Sequence, residues 1–135
     1  MANAIYPKFK EAILKGDIAG GLDAVDVKLI LVDLADYTYS AAHDFLDDVP
    51  AAARVDTSAA LGSKTFTSGV FDAADTSFVA ASGDVSEAVI VYHDSGVEAT
   101  SFLIAYYDTG VTGLPVTPNG GDINVAFDAA GLFTL

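Results

Sequence analysis

The sequence predicts a mainly β domain, a β-sandwich or jelly-roll-like body with a short N-terminal α-helix. Three observations point there. After Ala53 the chain breaks into short apolar runs, many of them alternating, spaced by roughly 8–12 residues or more. Gly62, Gly69, Gly83, Gly96, Gly110, Gly113, Pro115, Pro118 and Gly131 punctuate those runs. Sixteen of the 19 acids are Asp, a residue of turns and caps rather than of helix interiors.

The first element is the helix. Tyr6, Phe9 and Ile13 fall at i, i+3 and i+7, Pro7 suits a first helical turn, and Gly16 suits a C-terminal stop. Val25, Val27, Leu29 and Leu31 then alternate with Asp26, Lys28, Ile30 and Val32, a strand half exposed at first and buried on both faces later. Ser40 is placed to cap a short helix over residues 41–47, with Phe45 and Leu46 turned inward and Pro50 just beyond. Further strands are expected at 54–60, 64–71, 76–81, 87–92, 101–107, 123–127 and 132–135. The runs 88–92 and 102–107 are the most apolar, which places them at the sheet centre, with 93–100 as the loop between them. The apolar end, Leu132-Phe133-Thr134-Leu135, asks for a strand paired inside a sheet or an edge met by a partner subunit.

A chain of 135 residues suits one domain, with residues 1–20 as a helix or arm and 25–135 as a β-rich body. Hydrophobic residues make up 52%, too many for a disordered chain. No apolar run approaches the ~20 residues of a membrane span, and the start lacks the basic and apolar regions of a secretory signal. The absence of cysteine excludes disulfides, thiol nucleophiles and cysteine-ligated metals. The net charge is −13, and residues 1–28 contribute none of it, because Lys8, Lys10, Lys15 and Lys28 balance four acids. Such a surface repels nucleic acid and anionic membrane.

The chain offers little chemistry. Ser40, His43 and Asp44 adjoin in sequence, whereas catalytic triads assemble from distant segments around a strained nucleophile turn. His43 and His93 fall in segments expected at the surface, with no positioned nucleophile. Carboxylate pairs for glycoside hydrolysis would need a cleft. Asp44–Asp48, Asp72–Asp75 and Asp94–Glu98 carry hard oxygen ligands for calcium but lack the EF-hand pattern, and turn chemistry accounts for them. Gly20-Gly21 and Gly120-Gly121 lack phosphate-loop spacing. The expectation is a non-enzymatic protein with no catalytic residue, no metal and no cofactor. An enzyme would require a deep cleft with two close carboxyls. A sugar-binding module would require an exposed patch built from Tyr6, Tyr37, Tyr39 or Tyr92.

The segments "IYPKFKEAILKGDI" (5–18), "YTYSAAHDFLDDVP" (37–50), "GVFDAADTSFVAASGD" (69–84), "EAVIVYHDSG" (87–96), "ATSFLIAYYDTG" (99–110) and "PVTPNGGDINVAFDAAGLFTL" (115–135) carry a pattern over nearly the whole chain. In their order they resemble a group of small structural proteins of tailed-bacteriophage virions. Phe127 stands where that pattern often has Trp, and Ser101-Phe102 replaces a Ser-Pro step. The motifs are strand-and-turn motifs rather than catalytic ones. The resemblance implies a virion component made in the host cytoplasm. The first expectation is a capsid decoration (cement) protein that bridges shell subunits, its partners the major capsid protein and itself as a trimer or dimer. The alternatives are a tail or head-fibre component, or a host-surface or glycan-binding module. The charge split makes Tyr6, Lys8, Phe9, Lys10 and Lys15 candidate docking residues, and the apolar end adds Leu132, Phe133 and Leu135.

Overall fold

A computed structural model of the chain describes residues 3–127 and 130–135. Its main element is a five-stranded sheet in the order β1 (Ala4–Ile5), β7 (Leu103–Tyr107), β6 (Ala88–Asp94), β2 (Asp26–Val32) and β3 (Arg54–Thr57), with every neighbouring pair antiparallel. The continuous apolar runs of β6 and β7 are buried on both faces, as their composition demands, and β6 is the central strand. Strand β2 is exposed at Asp26 and fully buried from Leu29 onward.

Two short antiparallel ribbons form a second layer: β4 (Val70–Phe71) with β9 (Phe133–Thr134), and β5 (Thr76–Phe78) with β8 (Ile123–Val125). Successive strand residues point to opposite faces, and β7 shows what covers each. Tyr107 packs edge-on against Phe127 and donates a hydrogen bond to the Leu132 carbonyl, on the ribbon side. Tyr106 packs against Tyr37 and Tyr39, in the loop that covers the opposite face. The fold is mainly β and sandwich-like. The apolar end of the chain is paired internally, with Phe133 opposite Phe71 and Thr134 opposite Val70. Gly131, which enters that ribbon, has φ of +116°, and a Cβ there would lie 2.5 Å from Val70 Cγ1. Only glycine meets both demands.

Helix α1 (Pro7–Lys15) is the sole α-helix among the described residues. Pro7 opens it, and Gly16 closes it in the left-handed region. There the Asp17 N–H bonds the Ala12 carbonyl and the Gly16 N–H bonds that of Ile13, a Schellman ending. The face bearing Phe9 and Ala12 is buried. The helix is therefore part of the body, which corrects the expectation of an arm over residues 1–20. Tyr6 and Phe9 are 0% and 1% exposed. The backbone N–H of Tyr6 bonds the Ile104 carbonyl, and its hydroxyl lies 2.8 Å from that of Tyr37.

The helix expected at 41–47 does not form. Ser40 Oγ accepts from the Ala42 N–H, and the Asp44 N–H is taken by the Asp48 carboxylate. The first bond is one a helix cap would also make, but the second diverts to Asp48 the donor that the Ser40 carbonyl would hold in a helix. What remains is a single 3-10 turn at Leu46–Asp48, with Phe45 bridged to Phe102.

Candidate interaction surface

Helix α1 and the β4–β9 ribbon enclose an apolar slot of about 180 Å³, lined by residues that include Phe9, Ile13, Leu22, Phe66, Phe71 and Phe133. Ile13 and Leu135 line both this slot and an adjoining depression formed with Lys10, Leu14 and Thr134, so the two lie side by side and together form an apolar groove. Its outer residues stay in water: Leu14 is 88% exposed, and Leu135 and Phe66 are also exposed. Local structure explains the arrangement. Phe9 and Ala12 take the inward face of α1, so Leu14 is left on the outward face. Lys64 donates to the carbonyls of Leu22 and Val25, which ties the segment carrying Phe66 to the start of β2.

The basic residues around it are unequal. Lys8 pairs with Glu11 and Lys15 with Asp17. Elsewhere Lys28 pairs with Asp94, and Arg54 pairs with Glu98. Among the lysines and arginines, all of them described residues, only Lys10 lacks an ion pair or a hydrogen-bonded side chain, and it lines the groove.

The eight candidate docking residues thus divide. Tyr6, Phe9 and Leu132 are buried core residues and are unavailable for docking, which corrects that part of the expectation. Phe133 forms a groove wall and Leu135 its open edge. Leu14 and Phe66 were not legible as surface residues, since an apolar residue in sequence reads first as core.

The tyrosines form no open platform. Tyr6, Tyr37 and Tyr92 are buried, and Tyr39 is half-buried against Tyr6 and Tyr106. Burial, then the neighbouring Tyr37, drives the Tyr6 phenol well above its usual range, and Tyr37 is pushed up to about 12, chiefly by burial. Both hydroxyls therefore stay protonated and serve as hydrogen-bonding groups within the core.

The histidines are not the surface residues expected. His43 Nδ1 lies 2.8 Å from the Tyr37 hydroxyl. His93 is half-buried in β6, opposite Val27, with its ring stacked on Phe102, and burial lowers its pKa. The strand outruns its apolar segment because β2 offers pairing partners as far as Asp26 opposite Asp94.

Among the described residues two acidic clusters bring carboxylate oxygens within 4.8 Å of one another, Asp44/Asp47/Asp48 and Asp33/Asp36/Asp84. The first was visible in sequence and the second was not, because Asp84 is remote along the chain. In the first, burial and then the Asp48 carboxylate raise the pKa of Asp44. The Asp44 and Phe45 N–H groups outweigh burial and hold Asp48 low. Asp72 Oδ1 accepts from the Ala73 N–H, and Asp94 Oδ1 from the Gly96 N–H, as turn chemistry predicts.

The Lys28–Asp94 pair, 2.7 Å apart and about three-quarters buried at each side chain, gives a pH prediction. The Lys28 hydrogen bond and the Gly96 N–H depress the Asp94 pKa, and the Asp94 hydrogen bond raises that of Lys28. The stabilisation, on the order of 1 kcal/mol, is complete between roughly pH 4 and pH 10. It is lost as acid protonates Asp94 below that window and as base deprotonates Lys28 above it. Urea midpoints measured against pH should show both limbs, and Lys28→Met should flatten them. Identical profiles for the two proteins would refute this role.

No protein-family model matches the chain, and no curated protein matches it. Among the described residues no helix is long and apolar enough to cross a membrane.

Proposed function

We propose that this protein is a non-enzymatic virion structural protein of a tailed bacteriophage, a decoration protein on the outside of the capsid that stabilises the head by bridging its subunits. One observation carries the docking part of this reading. Leu14, Phe66 and Leu135, three of the six exposed large apolar side chains among the described residues, line one groove beside Lys10, a cation without an ion pair there, on a chain of net charge −13. Apolar patches rimmed by polar groups mark protein-binding sites, and an acidic exterior keeps a crowded particle soluble. The groove suits a protein surface, a capsid subunit or a neighbouring copy, better than a small ligand. The polar side chains lining it are Lys10 and Thr134, too few to orient a small ligand. The virion setting rests on the sequence resemblance over nearly the whole chain.

A tail or head-fibre position is the second reading, and it uses the same groove. A map of the intact virion by electron cryomicroscopy separates the two. Density for this fold at seams between capsid subunits is the expected result, and density confined to the tail would replace the first reading with the second.

A further inference from the structure

We propose that copies of this chain associate head to tail: the groove of one copy takes the loop over residues 79–85 of the next, with Asp84 set against Lys10. The exposed large apolar residues among the described residues fall mainly into two groups. Leu14, Phe66 and Leu135 belong to the groove, while Val79, 72% exposed, and Val85 belong to the loop between β5 and β6; Val97 stands apart. The loop is acidic where the groove is basic. Asp84 clusters with Asp33 and Asp36, and none of the three makes an ion pair among the described residues. Lys10 is the one lysine or arginine without an ion pair or hydrogen-bonded side chain among the described residues.

Strand β2 places these surfaces at opposite ends of the molecule. Leu22 lines the groove just before the strand begins at Asp26. Asp33 follows its other end directly, where the Glu87 N–H bonds the Val32 carbonyl and Glu87 Oε1 accepts from the Leu34 N–H. Seven residues of strand separate the two by roughly 20 Å. A two-fold contact of groove on groove would bring two Lys10 cations into one interface and leave the Asp33/Asp36/Asp84 cluster outside it. A head-to-tail contact instead sets apolar on apolar and cation on anions, and repeats as a ring or an open chain.

This deepens the docking reading by naming the occupant of the groove, and it is testable on the pure protein without particles. Sedimentation of the full chain from micromolar to millimolar concentration should show reversible association. Lys10→Glu and Asp84→Lys should each weaken it about tenfold or more, and the double variant should recover most of the loss, because it re-forms the pair with its signs exchanged. Leu14→Asp, at a site open to solvent, should weaken association by a second route. Thermal melts equal to wild type would show that all four variants are folded. A chain that remains monomeric throughout would overturn the proposal. So would an effect of Lys10→Glu without one of Asp84→Lys, or a double variant no better than the singles. Particles that bind a strictly monomeric protein would remove this contact and leave the decoration reading. Self-association without particle binding would do the reverse.

Discussion

A chain lacking residues 1–16 will not fold cooperatively. Its removal takes away β1 and with it the edge pairing of Ala4 with Tyr106 and Ile5 with Ala105. It also removes Asn3, whose side-chain oxygen accepts from the N–H groups of Asp108 and Thr109 and so holds the turn after β7. Most costly is the loss of Tyr6 and Phe9 from the core, where Phe9 meets Phe133 edge-on and Tyr6 supplies the hydrogen bond to Tyr37. Phe9→Ala alone should cost about 3–5 kcal/mol, against a total stability of about 5–15 kcal/mol for a domain of this kind. A thermal melt followed by near-ultraviolet circular dichroism checks it. A truncated chain with a sharp transition near that of the whole protein would show that the N-terminal segment is a separate arm after all.

That prediction reverses what the sequence suggested, and the reason is general. The spacing of Tyr6, Phe9 and Ile13 tells that a helix has an apolar face. It cannot tell whether that face is covered by the same chain or by another, because both demand the same residues. The central strands were legible for the opposite reason: Ala88–Tyr92 and Leu103–Tyr107 are apolar on both faces, which only a strand buried between two layers satisfies. The second layer was harder to place, since β4, β5, β8 and β9 run for only two or three residues each. Pattern reading extended them into turns whose backbone bonds go elsewhere. The groove was half legible. Phe133 and Leu135 were picked out by an apolar ending that needed a partner. Phe66 and Leu22 meet at the site through tertiary contacts, among them the Lys64 hydrogen bonds, which join segments about 40 residues apart, and the packing of Phe66 on Phe71.

Leu14→Asp and Leu135→Asp should leave stability nearly unchanged and weaken assembly sharply. Both side chains are largely exposed in the isolated protein, so replacing them removes little packing. In an occupied groove, a buried leucine contributes roughly 1.5–3 kcal/mol, and a carboxylate in its place adds a desolvation cost. Together these predict a loss of affinity of at least about tenfold per substitution. Tyr39→Phe, which lines neither part of the groove and sits in the tyrosine cluster with Tyr6 and Tyr106, should bind as wild type and serves as the control.

The most direct measurement adds purified wild-type and Leu14→Asp protein to virions assembled without it, and records shell occupancy together with the temperature at which DNA is released. The account predicts saturable occupancy and a raised release temperature for wild type. For the variant it predicts weakened occupancy and little protection, at an unchanged melting temperature of the free protein. Equal occupancy and equal protection by both proteins would contradict it.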